Sequence, residues 1–125
     1  MARILIVEDS ADSMKLFRAL LTLNGHVVHG VPSGDGLASV IGEHLPELIL
    51  LDIQLPGRDG FSLLPEIRAS GHGQRPVVAL TAHASASDRQ TALEAGFDGY
   101  LTKPIDVSRF PALVERFARG ERVEE

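Results

Sequence analysis

The chain has no cysteine among its 125 residues. That excludes a disulfide framework and any thiolate zinc site, and makes a reducing compartment its natural setting. Positive charge is also scarce, with 12 Lys and Arg against 17 Asp and Glu and a formal net charge of -5. Nucleic-acid binders neutralise phosphates with a basic face, so direct nucleic-acid binding is not expected and any role on DNA would be indirect. Long apolar runs are missing as well. The start, MARILIVEDS, reaches acidic residues after only a few apolar ones, which fits neither a signal peptide nor a membrane span. The expectation is a cytoplasmic protein without membrane insertion. No repeat period and no low-complexity tract appears, which excludes a repeat array.

What is present is an ordinary globular composition, 44% hydrophobic and 23% charged, which argues for a chain that folds by itself. The length suits one domain with a real core and is too short for two of average size. Short apolar runs at Arg3 to Val7, His26 to Val31, Leu48 to Leu51, Val77 to Leu80 and Gly99 to Thr102 are each followed by helical spacing. Five strand-then-helix units predict an α/β fold with a parallel sheet covered on both faces. Phe110, Leu113, Val114 and Phe117 form one apolar helical face, with Pro111 tolerable in the first turn. Ser87 with Gln90 reads as a capping box opening the fourth helix, which Gly96 ends. Asp59 suits the N-cap of a helix through about Ala69, and Pro56-Gly57 suits the middle of a type II turn. The expected domain covers residues 1–119, and residues 120–125 form a short polar tail too small for an output domain.

In open parallel sheets, ligands sit outside the carboxyl ends of the strands. Glu8 and Asp9 follow the first strand, Asp52 ends the third, Thr81 ends the fourth, and Lys103-Pro104 follows the fifth. The topology therefore gathers carboxylates, a hydroxyl and an ammonium on one edge. Close carboxylate pairs repel by about 1 to 4 kcal/mol at effective dielectrics between water and a protein surface. Lys103 offsets part of that, and a hard divalent cation such as Mg²⁺, which takes a few oxygen ligands plus waters, can offset the rest. A carboxylate nucleophile, charge neutralisation and donors for phosphoryl oxygens are what phosphoryl transfer to Asp52 requires.

The set VED at 7 to 9, DIQLPGRDG at 52 to 60, LTA at 80 to 82 and YLTKP at 100 to 104 resembles the receiver domain of two-component response regulators, across essentially the whole chain. The resemblance implies a flavodoxin-like, CheY-like doubly wound (βα)5 domain with strand order 2-1-3-4-5. It further implies that Asp52 accepts a phosphoryl group from a phosphohistidine on a histidine kinase or histidine phosphotransfer protein. Asp9, Asp52 and the Gln54 carbonyl would bind Mg²⁺, with Glu8 acting through a water. Lys103 would pair with the phosphoryl group, oriented by a cis peptide before Pro104. Thr81 would swing toward the phosphoryl oxygen and Tyr100 would follow inward, altering the face of the fourth helix, fifth strand and fifth helix that meets a downstream protein. Such a domain is a signalling phosphoacceptor that promotes its own phosphorylation and dephosphorylation, not an enzyme acting on other substrates.

The residues leave other readings to weigh. A haloacid-dehalogenase-like phosphatase also uses an aspartyl nucleophile, but it needs a second aspartate two residues on, where this chain has Gln54. A phosphorylation-independent adaptor fits poorly with an intact Asp9, Asp52, Thr81 and Lys103. The chain could act alone or be a receiver from a hybrid kinase or longer regulator; Met1 and the polar ending mildly favour the first. His26, His29, His44 and His72 read as surface or structural residues. His83, two residues after Thr81, and Gln54 would tune water access and hence the lifetime of the phosphoryl group. In the first helix, Met14, Leu16, Phe17, Leu20, Leu21 and Leu23 cover an arc of roughly 180°, more than a sheet-facing helix needs. Either Met14 or Leu16 stays exposed as a docking patch for a kinase helix, or neighbouring helices cover the excess.

Overall fold

The computed structural model describes residues 2–55, 57, 59–70, 75–82 and 85–121. Five strands alternate with five helices: β1 Arg3–Val7, α1 Ala11–Leu23, β2 Val27–Val31, α2 Leu37–His44, β3 Leu48–Asp52, α3 Gly60–Ala69, β4 Val77–Thr81, α4 Ala86–Ala95, β5 Gly99–Thr102 and α5 Phe110–Ala118. The sheet is parallel in the order β2-β1-β3-β4-β5, so the expected doubly wound fold and strand order are present. Register aligns the strand ends: Val7 pairs with Val31 and Leu51, Asp52 with Leu80, and Thr81 with Thr102.

The two-residue period of a strand divides the core in two. Ile4, Ile6, Leu48, Leu50, Val78, Leu80 and Leu101 point to the side covered by α1 and α5, where Phe17 stacks on Phe110 with centroids 5.4 Å apart. Leu5, Val7, Ile49, Leu51, Val77, Ala79 and Tyr100 point to the side covered by α2, α3 and α4. Every residue of β3 and β4 is buried, as expected for central strands of a sheet covered on both faces.

Helix starts are set by short side chains. Ser10 caps α1 by accepting from Ser13 N–H at 3.3 Å, and Asp59 caps α3 by accepting from Ser62 N–H at 2.8 Å. The fourth helix corrects the sequence reading: its cap is Ser85, not Ser87. Ser85 has the extended backbone a cap needs (φ -68°, ψ 155°), its Oγ accepts from Asp88 N–H at 3.2 Å, and it donates to Asp88 Oδ2 at 2.7 Å. Asp88, rather than Gln90, thus takes the third helical position of the box. In α1, Met14 is not a free surface residue, because it packs half-buried against the core over Gly30. Leu16, 41% exposed, and Leu23, 84% exposed, carry the excess of that apolar arc. Gly57 has φ +79°, which suits the third position of a type II turn, while Pro56 lies outside the described residues.

Gly60 is the closest approach between α3 and the end of β3. A Cβ there would lie 2.7 Å from Ile53 Cα and 3.1 Å from Asp52 O. Helix propensity alone makes Gly60→Ala stabilising by about 0.5–1 kcal/mol. Because the clash is with backbone that cannot rotate away, we expect destabilisation instead, by about 1–3 kcal/mol. Chemical denaturation measures it, and an unchanged or raised midpoint would contradict the packing argument.

Candidate functional site

Asp52 is the last residue of β3 and is only 2% exposed. Its two carboxylate oxygens have separate partners: Oδ1 accepts from Gln54 N–H at 2.8 Å and Oδ2 accepts from Lys103 Nζ at 2.7 Å. The loop after β5 brings Lys103 there, held by the Lys103 N–H donating to Thr81 O at 2.7 Å. The Lys103–Pro104 peptide bond is cis. Glu8 follows β1, positioned by its N–H donating to Val31 O at 3.0 Å, and its Oε2 accepts from Ser10 N–H at 3.3 Å. Its Oε1 forms an ion pair with the same Lys103 ammonium. Asp9 beside it is exposed, and one carboxylate oxygen from each of Glu8, Asp9 and Asp52 lies within 4.8 Å of the others.

One ammonium cannot balance three carboxylates, and the proton equilibria register the surplus. Burial, and then hydrogen bonding to Asp52, push the Glu8 carboxyl up to about 7. Burial also raises Asp52, but hydrogen bonds from Glu8, Lys103 and Gln54 N–H outweigh it and leave that carboxyl below its ordinary value. Burial lowers Lys103, and its contacts with Asp52 and Glu8 more than reverse this. Glu8 thus holds its proton to higher pH than an ordinary carboxyl, while Asp52 gives its proton up more readily. A cluster of hard oxygen donors that must recruit a proton to coexist is suited to a hard divalent cation in the proton's place.

Thr81 is buried at the end of β4, and Gln54 is exposed beside Asp52. Tyr100 lies away from the carboxylates, buried in the core on the α4 side of the sheet. His83 and His72 lie outside the described residues. The other histidines are structural: His26 Nδ1 accepts from Ala2 N–H at 3.0 Å, and His29 stacks on His44 with centroids 3.7 Å apart. The sequence reading missed a cleft of about 280 Å³ beside Thr81, walled by Ile53, Phe61, Asp59, Asp88 and Thr91. It also missed Arg89, which lies over the Tyr100 ring. Neither carries a local signal, since each joins residues from separate strand-helix units.

The doubly wound sheet brings Glu8, Asp9, Asp52, Thr81 and Lys103 to its carboxyl edge. The family model for the response regulator receiver domain matches residues 4–115, and the chain belongs to that family. It is similar to the polar-differentiation response regulator DivK of Brucella ovis, 35% identical over 115 residues that cover 91% of this chain and 94% of that protein. It is equally similar, at 35% identity over 116 residues, to the sensor protein GacS of Pseudomonas syringae pv. syringae, covering 90% of this chain but 13% of that protein. Among solved structures it resembles the receiver domain of the sensor histidine kinase PA1611 from Pseudomonas aeruginosa (34% identity, TM-score 0.83, 94% of this chain and 98% of that one). That structure has a magnesium ion coordinated in its active-site cleft. No helix among the described residues is long and apolar enough to cross a membrane.

The raised Glu8 carboxyl gives a pH dependence. Glu8 has a folded pKa of about 7 against an ordinary 4.5, so its contribution to stability is full below 4.5 and is lost as pH rises through 7. Asp52, shifted down, loses its contribution only as pH falls below the ordinary 3.8. His26 and His29, lowered chiefly by burial, act in the opposite sense to Glu8. The difference between Glu8→Gln and the parent isolates the effect. In metal-free buffer the variant should gain stability relative to the parent between about pH 5 and about pH 7.5. A difference that stays constant over that range would show that Glu8 does not titrate there.

Proposed function

We propose that the protein accepts a phosphoryl group on Asp52 from a phosphohistidine of a histidine kinase or histidine phosphotransfer protein, and signals through protein contacts. The observation that supports this most directly is the Asp52 carboxylate itself, ionised at the end of a buried strand with Lys103 on one oxygen and the acidic cluster beside it. An Asp52 oxygen attacks phosphorus, the phosphorus–nitrogen bond breaks with its electron pair passing to nitrogen, and the donor imidazole, protonated on its other ring nitrogen, leaves as the neutral ring. Lys103 then follows the charge onto a phosphoryl oxygen, and the Thr81 hydroxyl donates to another. Asp9, Asp52 and the Gln54 carbonyl would hold Mg²⁺, with Glu8 acting through a water. When bound, the ion neutralises the negative charge that gathers as the phosphoryl group arrives.

In this reading the output lies on the face formed by α4, β5 and α5; Thr81 responds to the phosphoryl group, whereas Tyr100, expected to turn inward on phosphorylation, is already inward and buried without it, so its part is to hold that face rather than to swing. The functional unit spans residues 1–119, works in the cytoplasm and is a phosphoacceptor rather than an enzyme with turnover on other substrates. Coverage of 94% of DivK supports a stand-alone receiver. The match to 13% of GacS and the likeness to the PA1611 receiver favour the second reading, a receiver within a longer sensor kinase or regulator.

Incubation with Mg²⁺ and a small phosphodonor should add one phosphoryl group by mass, and Asp52→Asn should abolish the addition. Uptake at another residue, or none in the parent protein, would overturn the reading. Loss of the group with time reports on Gln54 and His83: alanine at either position should change the dephosphorylation rate, and unchanged rates would remove their tuning role.

A further inference from the structure

Tyr100 sits in the core on the α4 side of the sheet with Ala92 and Phe97, and only 6% of it is exposed. The outer side of the ring is closed by Arg89, whose guanidinium carbon lies 4.7 Å from the ring centroid, within cation–π range. The arrangement matters because, among the described residues, α4 places few apolar side chains in the core. Among the described residues Ala92 is the α4 side chain in the core, while Leu93 is 42% exposed. The helix as a whole, ASDRQTALEA, is mostly polar. Arg89 thus adds a cation–π contact with β5 to the packing of Ala92 in the core.

Resting on the phosphoacceptor reading above, we infer that Arg89 is a positioning residue for Tyr100. By closing over the ring it holds the side chain inward before Asp52 is phosphorylated, so that α4 and Tyr100 move together. The guanidinium suits this role because it is planar, always charged and weakly hydrated, and it stacks on an aromatic face without losing its outward hydrogen bonds. Ring position is then set by two inputs, the α4 latch and the state of Asp52. Removing the first should leave the second in sole control.

The composition offers a clean reporter, since Tyr100 is the single tyrosine and the chain has no tryptophan. Acrylamide quenching of tyrosine emission measures access to this one ring, with and without Mg²⁺ and beryllofluoride as a stand-in for the phosphoryl group. In the parent protein the ring should be shielded in both conditions. In Arg89→Gln it should become several-fold more accessible without beryllofluoride and return to shielding with it, while Arg89→Lys should keep part of the shielding. Arg89→Met, which keeps an apolar stem but no cation, gives the same comparison if the glutamine variant does not fold. An accessible ring in the unliganded parent protein, or unchanged shielding in the glutamine and methionine variants, would overturn the latch. A ring freed in Arg89→Gln that beryllofluoride does not restore would leave the latch standing and sink the coupling between Asp52 and Tyr100.

Discussion

The structure turns on an imbalance of charge at the end of its most buried strand. Asp52 leaves a strand with no exposed residue and meets Glu8, Asp9 and Lys103 at once. At effective dielectrics between water and a protein surface, each close carboxylate pair costs about 1–4 kcal/mol. Lys103 offsets part of that cost and the raised Glu8 carboxyl registers the remainder, which leaves the site receptive to whatever brings more positive charge. A divalent cation does so directly. A phosphoryl group would then arrive at a site whose charges are already arranged to receive it.

The fold supplies that arrangement by aligning strand ends. Parallel register brings Val7, Asp52 and Thr81 to the same edge, so the residues that follow β1, β3, β4 and β5 meet although they are far apart in the chain. Close backbone packing keeps the edge in place, with Gly60 against Ile53 and Asp52 and with Lys103 N–H on Thr81 O. The same alternation that points Leu101 to the α5 side points Tyr100 to the α4 side. The one tyrosine thus lies in the core on the α4 side, with Arg89 of that helix over its ring.

Much of this was legible in the sequence because it depends on local rules. Five apolar runs with helical spacing between them implied the parallel sheet, the residues at the ends of all but the second run are those that the structure brings to one edge, and Asp59 announced its helix three residues ahead of the N–H it accepts from. What could not be read depends on which of two equivalent neighbours wins in space. Ser85 and Ser87 are equally good caps by composition, and only backbone direction selects Ser85. Met14 and Leu16 are equally apolar, but Met14 faces the gap over Gly30 while Leu16 turns outward. The burial that raises the Glu8 carboxyl, and the stacking of Arg89 on Tyr100, arise between distant elements and leave no periodic trace.

The carboxylate cluster is short of positive charge, and a hard divalent cation would complete it. The most direct test is the unfolding midpoint measured against Mg²⁺ concentration at a pH where Glu8 is ionised. The parent protein should gain stability saturably, by about 1–3 kcal/mol at concentrations well above the dissociation constant. An Asp9→Asn, Asp52→Asn double variant should be more stable without the ion and indifferent to it. A parent protein that does not respond, or a double variant that responds equally, would contradict the account.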